Sequence, residues 1–273
     1  MSVDRPIIPS MPPCLGDAKD DTTWETLGGR VAAPSCVLPA GLAENARFLA
    51  GKTAEVGLCL FETQACCAYG PEDLPPDLAK LPLRWHAHLP VDLPWSGKDK
   101  KRVHSAQPAA QAALAVLDKV IFLRPRLAVL HAPNGSPDEQ RRKLDMFLTS
   151  WKRKTSIPLV LENTADCDVI SLGANFLRDY GLGFCLDVGH LLGYGQQRLL
   201  SSDLPEQATL LHWSAPGDGD RHLSLTALTP SQDRTLTALA KRLPPSATHL
   251  IEVFSWQSYM TSLPVLANML RDA

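Results

Sequence analysis

Eight short apolar runs, most of them followed by a stretch with helical spacing, constrain this sequence more than any other feature. They are RVAAPSCVL (30–38), AEVGLCLFE (54–62), LRWHAHL (83–89), RLAVLH (126–131), IPLVLEN (157–163), LGFCLD (182–187), ATLLHWS (208–214) and THLIEVF (248–254). Runs this short, with few polar alternate positions, read as strands buried on both faces. Between them, GLAENARFLAG, AQPAAQAALAVLDKVIFL, PDEQRRKLDMFLTSWKRK, DVISLGANFLRDYG and SQDRTLTALAKRL repeat apolar residues every three or four positions, so helices are expected there. Doubly buried strands alternating with helices imply a parallel sheet, and eight such units close as a (β/α)8 TIM barrel of the α/β class. The 273 residues and 45% hydrophobic content suit one such domain, expected over 30–273 behind an irregular N-terminal arm at 1–29. Units two and six carry the weakest helical signal: 62–81 is Pro-rich and LLGYGQQRLL allows a short helix at best.

Composition narrows the function. A net charge of -2 provides no global basic field, so sequence-independent gripping of long nucleic acid is not supported. The run GKDKKR (97–102) reads as a solvated loop. Cys14, Cys36, Cys59, Cys66, Cys67, Cys167 and Cys185 form no CxxC pair and mostly sit in apolar runs, which predicts reduced thiols in a cytoplasmic protein. Residues 1–29 lack the apolar core of an export signal, and no stretch approaches the ~18 uninterrupted apolar residues of a membrane span. There is no G-x-S-x-G elbow, Walker A loop or Rossmann G-x-G-x-x-G.

In such a barrel the C-terminal strand ends form the active-site face. Strand two ends at Glu62, strand three carries His86 and His88, strand four ends at His131, and strand five ends at Glu162 and Asn163. Strand six ends at Asp187 with His190 beyond it, strand seven at His212 with Asp220 and His222 in its loop, and strand eight near Glu252. Six of the eight histidines fall on this face, and His104 and His249 lie elsewhere. Any one of them has an ordinary structural explanation. A ring of buried carboxylates and imidazoles is another matter, because uncompensated burial costs several kcal/mol per charge and cations remove that cost. Mixed nitrogen and oxygen donors suit Zn, Mn or Fe. So many donors exceed the needs of one ion, and two or three divalent ions roughly 3.5–4 Å apart would suit phosphoester hydrolysis.

The segments LEN, DVGH, LHWS, DRH and IEVF, in order at strands five to eight, resemble the xylose-isomerase-like TIM-barrel superfamily and, within it, the endonuclease IV type of trinuclear zinc phosphodiesterase. That resemblance implies His131 with either His86 or His88 on the outer ions, and Glu162 and Glu252 as bridges. It also implies Asp187 and His190 from a D-x-x-H element, His212, and Asp220 and His222 from a D-x-H element. A closer likeness, over nearly the whole chain, is to the cobamide-remodelling phosphodiesterases of bacteria. It is carried by GLCLFETQACCAYGPEDLP, RWHAHLPVDLPW, CLDVGHLLGYGQ, LHWSAPGDGDRHLSL and IEVFSW. Members hydrolyse the nucleotide-loop phosphoester of corrinoids such as pseudocobalamin, giving cobinamide. The resemblance therefore implies a corrinoid partner, with Glu162, Glu252 and Asp187 at the chemistry. A bulky, mostly uncharged corrin would suit loops bearing Tyr69, Trp85, Trp95, Tyr194, Trp213 and Trp256, stiffened by Pro90 and Pro94. Glu62, Trp95, Tyr194 and Trp213 are the expected substrate contacts, with Glu62 also open as a metal ligand or as an acceptor for a metal-bound histidine. The rival readings are an abasic-site nuclease using the same metals, a sugar isomerase, whose sites lean on carboxylates with few histidines, and a noncatalytic corrinoid- or metal-binding barrel.

Overall fold

The computed structural model describes residues 27, 29–95 and 106–271. The charge run at 97–102, His104, Cys14 and most of the expected arm lie outside them. The first half runs β1 (Val31–Pro34), α1 (Leu42–Leu49), β2 (Glu55–Cys59), α2 (Thr63–Ala68), β3 (Arg84–His88), α3 (Gln107–Val120), β4 (Ala128–His131) and α4 (Pro137–Lys154). The second half runs β5 (Leu159–Glu162), α5 (Phe176–Tyr180), β6 (Gly183–Asp187), α6 (Val188–Gly193), α7 (Gln197–Leu200), β7 (Ala208–Trp213), β8 (Ala215–Pro216), β9 (His222–Leu223), α8 (Pro230–Ala240), β10 (Thr248–Ile251) and α9 (Trp256–Arg271). Eight strands close in the order β1-β10-β7-β6-β5-β4-β3-β2, every pair parallel, so the expected TIM barrel is what forms. β8 and β9 make an antiparallel ribbon in the loop after β7.

Side chains alternate across each strand, one facing the barrel axis and the next the helices. Ala32, Val129, Val160, Cys185, Leu210 and Leu250 pack together inside the barrel, whereas Val31, Val56, Ala87, Leu161, Leu211 and Ile251 belong to the larger core that the helices share. Helix α4 begins where the sequence signals it. The Ser136 hydroxyl accepts from the Glu139 amide, Glu139 reaches back to the Ser136 amide, and Lys152, Arg153 and Lys154 face the negative end of the helix dipole. Its buried face carries Leu144, Phe147, Leu148 and Trp151.

Three departures from the sequence reading have local causes. DVISLGANFLRDYG, expected as a helix, forms a 3-10 turn at Ile170–Leu172 and only then α5, because Gly173 takes φ 106° and ends the first turn. The Pro-rich second unit does form a helix, the short α2, before a 3-10 turn at Pro76–Lys80. α9 was not read from the sequence. Pro264 lies inside it and weakens the helical signal there.

Candidate metal centre at the barrel mouth

The inward-facing ends of six strands supply the centre. From β5, Glu162 is fully buried and stands at the hub: its Oε2 lies 3.2 Å from His88 Nε2 of β3 and 3.2 Å from His131 Nε2 of β4. Its Oε1 lies 3.3 Å from His212 Nδ1 of β7 and 3.5 Å from His190 Nδ1 of α6. Glu252, one residue past β10, brings Oε2 within 2.9 Å of His212 Nδ1 and 3.5 Å of His222 Nδ1. Asp220, on the tight turn between β8 and β9 at φ 66°, places Oδ1 2.9 Å from His190 Nε2. Nine of the ten expected metal-binding residues thus converge. Their donor atoms group as His88, Glu162 and His212, as Glu162, Asp187, His212 and Glu252, and as His190, Asp220 and His222, with His131 bonded to Glu162.

The supporting contacts fix which atoms face the centre. His88 Nδ1 donates to the Leu89 carbonyl at 2.9 Å, and His190 Nδ1 donates to the Asn163 carbonyl at 2.8 Å, so each ring leaves Nε2 free to bind. Asp187 caps α6 by accepting from the His190 amide at 2.6 Å. Asn163 clamps Asp187 from the other side: its Oδ1 accepts from the Asp187 amide and its Nδ2 donates to the Asp187 carbonyl and to Gln196 Oε1. Gln196 also donates to the Thr164 carbonyl. The LLGYGQ surroundings of Gln196 carry no spacing signal for this role, and sequence reasoning missed it.

The electrostatics show how the charges of the cluster balance. Burial opposes charge on His190, yet Asp187, Asp220 and Glu162 outweigh it and push the imidazole up to about 10. Burial likewise opposes charge on His212, but Cys185, Glu252 and Glu162 carry it well above the usual histidine range. Glu162 is held well below its ordinary value: burial pushes it up, and the surrounding His212 and His131 overcome that. Protons therefore balance these carboxylates when nothing else does. Asp187 Oδ2 and Glu252 Oε2 are buried without a hydrogen-bond partner, although Glu252 Oε2 is 2.9 Å from a ring nitrogen. Buried carboxylates and imidazoles that need protons to balance their charge fit divalent cations, which can take the place of those protons.

The remaining expected residues separate by strand parity. His86 faces inward, one layer below His88, and lies outside the cluster. Its Nδ1 is 2.6 Å from Glu55 Oε1, and its Nε2 fills the space that a Cβ on Gly57 would need, at 2.7 Å. Glu55 is in turn gripped by Arg126 Nε at 2.8 Å and Arg84 Nε at 3.3 Å, so His86 belongs to a buried network under the cluster, and the strand-three imidazole that joins the cluster is His88. Trp213 and Trp85 alternate with inward-facing histidines and point into the helix layer. Trp213 is fully buried and donates to His249 Nδ1 at 3.1 Å, so it does not meet a substrate at the mouth. Trp95 packs on the buried Phe147 of α4, with centroids 5.2 Å apart, and Trp256 stacks on Tyr259 of its own helix. Glu62 is exposed at the start of α2, past the end of β2, and lies outside the cluster. Tyr194 does stand at the mouth: its ring lies 5.4 Å from His190 and its hydroxyl donates to Asp220 Oδ1 at 2.6 Å. Two residues that sequence reasoning missed stand there too. Phe61 meets the His88 ring edge-on at 5.0 Å, Phe254 lies 5.2 Å from His222, and the two phenyl rings are 5.8 Å apart. Their signal was position alone, just past strands two and eight.

No family model matches the chain. Over 171 residues it is 29% identical to the "Probable endonuclease 4" of Mycobacterium ulcerans (strain Agy99), a match covering 55% of this chain and 65% of that protein, and the Mycobacterium marinum counterpart matches equally. Endonuclease IV from Thermus thermophilus superposes with a TM-score of 0.64 at 17% identity, over 89% of this chain and 100% of that one. A xylose isomerase domain containing protein from Salmonella typhimurium superposes at 0.62 with 14% identity, over 89% and 95%. The fold is that of the endonuclease IV and xylose isomerase-domain barrels. The sequence match spans less than two thirds of the curated relatives' length, so it carries the likeness and not their activity.

Proposed function

We propose that the protein is a metal-dependent phosphodiesterase that cleaves the nucleotide-loop phosphoester of cobamides, releasing cobinamide and a riboside phosphate for corrinoid salvage. The observation that carries the hydrolytic reading is the convergence of nine imidazole and carboxylate side chains at one end of the barrel, with Asp187 Oδ2 buried among them without a partner. Two or three divalent ions of the zinc, manganese or iron kind, held by His88, His131, Glu162, Asp187, His190, His212, Asp220, His222 and Glu252, would polarise a phosphodiester and acidify the attacking water. Glu162 and Glu252, whose carboxylates lie 3.3 Å and 2.9 Å from His212 Nδ1, would steer that water and hold its proton. Asp187 keeps the turn that presents His190 in register.

The substrate reading rests on the walls. Phe254 is 44% exposed, Val91 50% and Tyr194 40%, and with Phe61 they give the mouth an apolar side suited to a large uncharged macrocycle. Among the described residues lining the clefts beside His190, Arg221 is the one arginine or lysine, and Asp218 lies 3.6 Å from it. Asp166, Asp218 and Asp220 give those clefts an acidic character, the reverse of what a run of DNA phosphates requires. The second reading, an abasic-site nuclease, is favoured by the similarity to the mycobacterial proteins. Manganese- or zinc-loaded protein incubated separately with a panel of cobamides and with abasic duplex DNA separates the two. Cobinamide and a phosphorylated riboside are the expected products. Rapid nicking of the duplex, with no cobinamide from any corrinoid, would overturn the proposal in favour of the nuclease.

A further inference from the structure

The ring of donors has a gap. β3 to β7 and the residue after β10 each supply a carboxylate or an imidazole, and the two remaining strand ends, β1 and β2, supply neither. What stands there is a pair of thiols: Cys36 Sγ lies 3.1 Å from Cys59 Sγ, the one such contact among the described cysteines. The backbone enforces this. β1 and β2 pair with Pro34 opposite Gly57, and the same register carried two residues further sets Cys36 opposite Cys59. The Ser35 amide donates to the Gly57 carbonyl at 2.9 Å, and the Cys59 amide donates to Ser35 Oγ at 2.9 Å, so the ends cannot drift apart. Neighbouring strands run about 4.8 Å apart, inside the Cα separation that a disulfide spans. Cys36, Cys59 and Cys67 are half-buried, whereas Cys66, Cys167 and Cys185 are buried, and of the half-buried three it is Cys36 and Cys59 whose sulfurs meet.

We propose that Cys36 and Cys59 are a dithiol–disulfide site on the rim of the metal centre, closed by exchange with a low-molecular-weight disulfide. One cysteine sulfur attacks the small disulfide, forming a mixed disulfide and expelling one small thiol, which takes up the proton. The second cysteine then attacks the mixed disulfide, forming the Cys36–Cys59 bond and expelling the other small thiol with the second proton. Two electrons pass from the cysteine sulfurs to the small disulfide, and nothing else is consumed. The bond closes a loop between positions 23 residues apart. A loop of that size restricts the unfolded chain enough to raise Tm by roughly 5–10 °C.

The test uses the wild-type, metal-loaded chain incubated with oxidised glutathione, digested with trypsin without reduction and read by mass spectrometry. Peptide 31–47 should appear joined to peptide 53–80, 2 Da below their sum as thiols, with fragmentation placing the link at Cys59 and dithiothreitol dissolving it. Cys36→Ser should abolish the link and Cys67→Ser should leave it. Neither sulfur is among the nine donors, so the oxidised chain should keep its metal content. Absence of the linked peptide, or a link located at Cys66 or Cys67, would overturn the proposal. Loss of metal on oxidation would do so as well, since the sulfurs would then be ligands. Each of these readouts is independent of the substrate, so a failure to cleave any diester bears on the proposed function alone.

Discussion

Glu162 touches imidazoles from four different elements, and its charge is the one that His88, His131, His190 and His212 share. Glu162→Gln keeps the shape and removes that charge, so bound metal should fall by at least one ion per chain and diester turnover by about 100-fold or more, while the circular dichroism stays that of the native fold. His249→Asn is the contrast. His249 lies in the helix layer, where its one hydrogen-bonding role is to accept from Trp213, so the variant should lose about 1–2 kcal/mol of stability in urea titration and none of its metal. Glu55 supplies a pH signature. Burial raises this carboxyl, but His86 and Arg126 outweigh it and bring it from an ordinary 4.5 down to about 2. A depressed carboxyl stabilises above its unfolded value and loses that contribution as pH falls through the folded one. The Tm gap between wild type and Glu55→Gln should therefore be full at pH 6 and shrink toward zero as the pH approaches 2. A gap that stays constant across that range would mean that the ion pair contributes nothing.

The α6 turn shows the same dependence at the scale of an element. Gly189 sits between Asp187 and His190, and a Cβ there would lie 2.3 Å from Ser214 Oγ and 3.2 Å from Asp187 Oδ1. Gly189→Ala must push the turn away from β7, costing roughly 1–3 kcal/mol in denaturant titration, and the ion proposed at His190, Asp220 and His222 should then leave before those proposed at the more deeply buried groups. Simultaneous loss of all ions in a chelator titration would contradict that order. Elements are also the scale at which the sequence was most readable. Strand positions followed from doubly buried apolar runs and helices α4 and α8 from apolar residues recurring every three or four positions, and the structure starts both helices at capping boxes, at Ser136 and Thr229. Alternation within a strand could have sorted the aromatics, since Trp85 and Trp213 are each one residue from an inward-facing histidine. The choice between His86 and His88 could not be made that way. Both share a parity, and their depth along the axis is set by the stagger of β3 against its neighbours, which only the closed barrel fixes. Phe61 and Phe254 escaped for a related reason: loop side chains follow no period, and their meeting depends on β2 and β10 both flanking β1.

Across the whole molecule, one end of the barrel holds the imidazole and carboxylate cluster and the rest of the inner layer is an apolar plug with the Glu55 network in it. A chain built this way carries buried like charges that only protons or cations can balance, so stripping metal should lower Tm and loading it should release protons, above all from His190. The most direct test of the account is the number of ions the chain holds, counted by inductively coupled plasma mass spectrometry after reconstitution with zinc and exhaustive dialysis. The three donor groups predict two to three ions per wild-type chain, and fewer for Glu162→Gln. A wild-type count below one, with no difference between the two proteins, would contradict the claim that these nine side chains form one polynuclear metal centre.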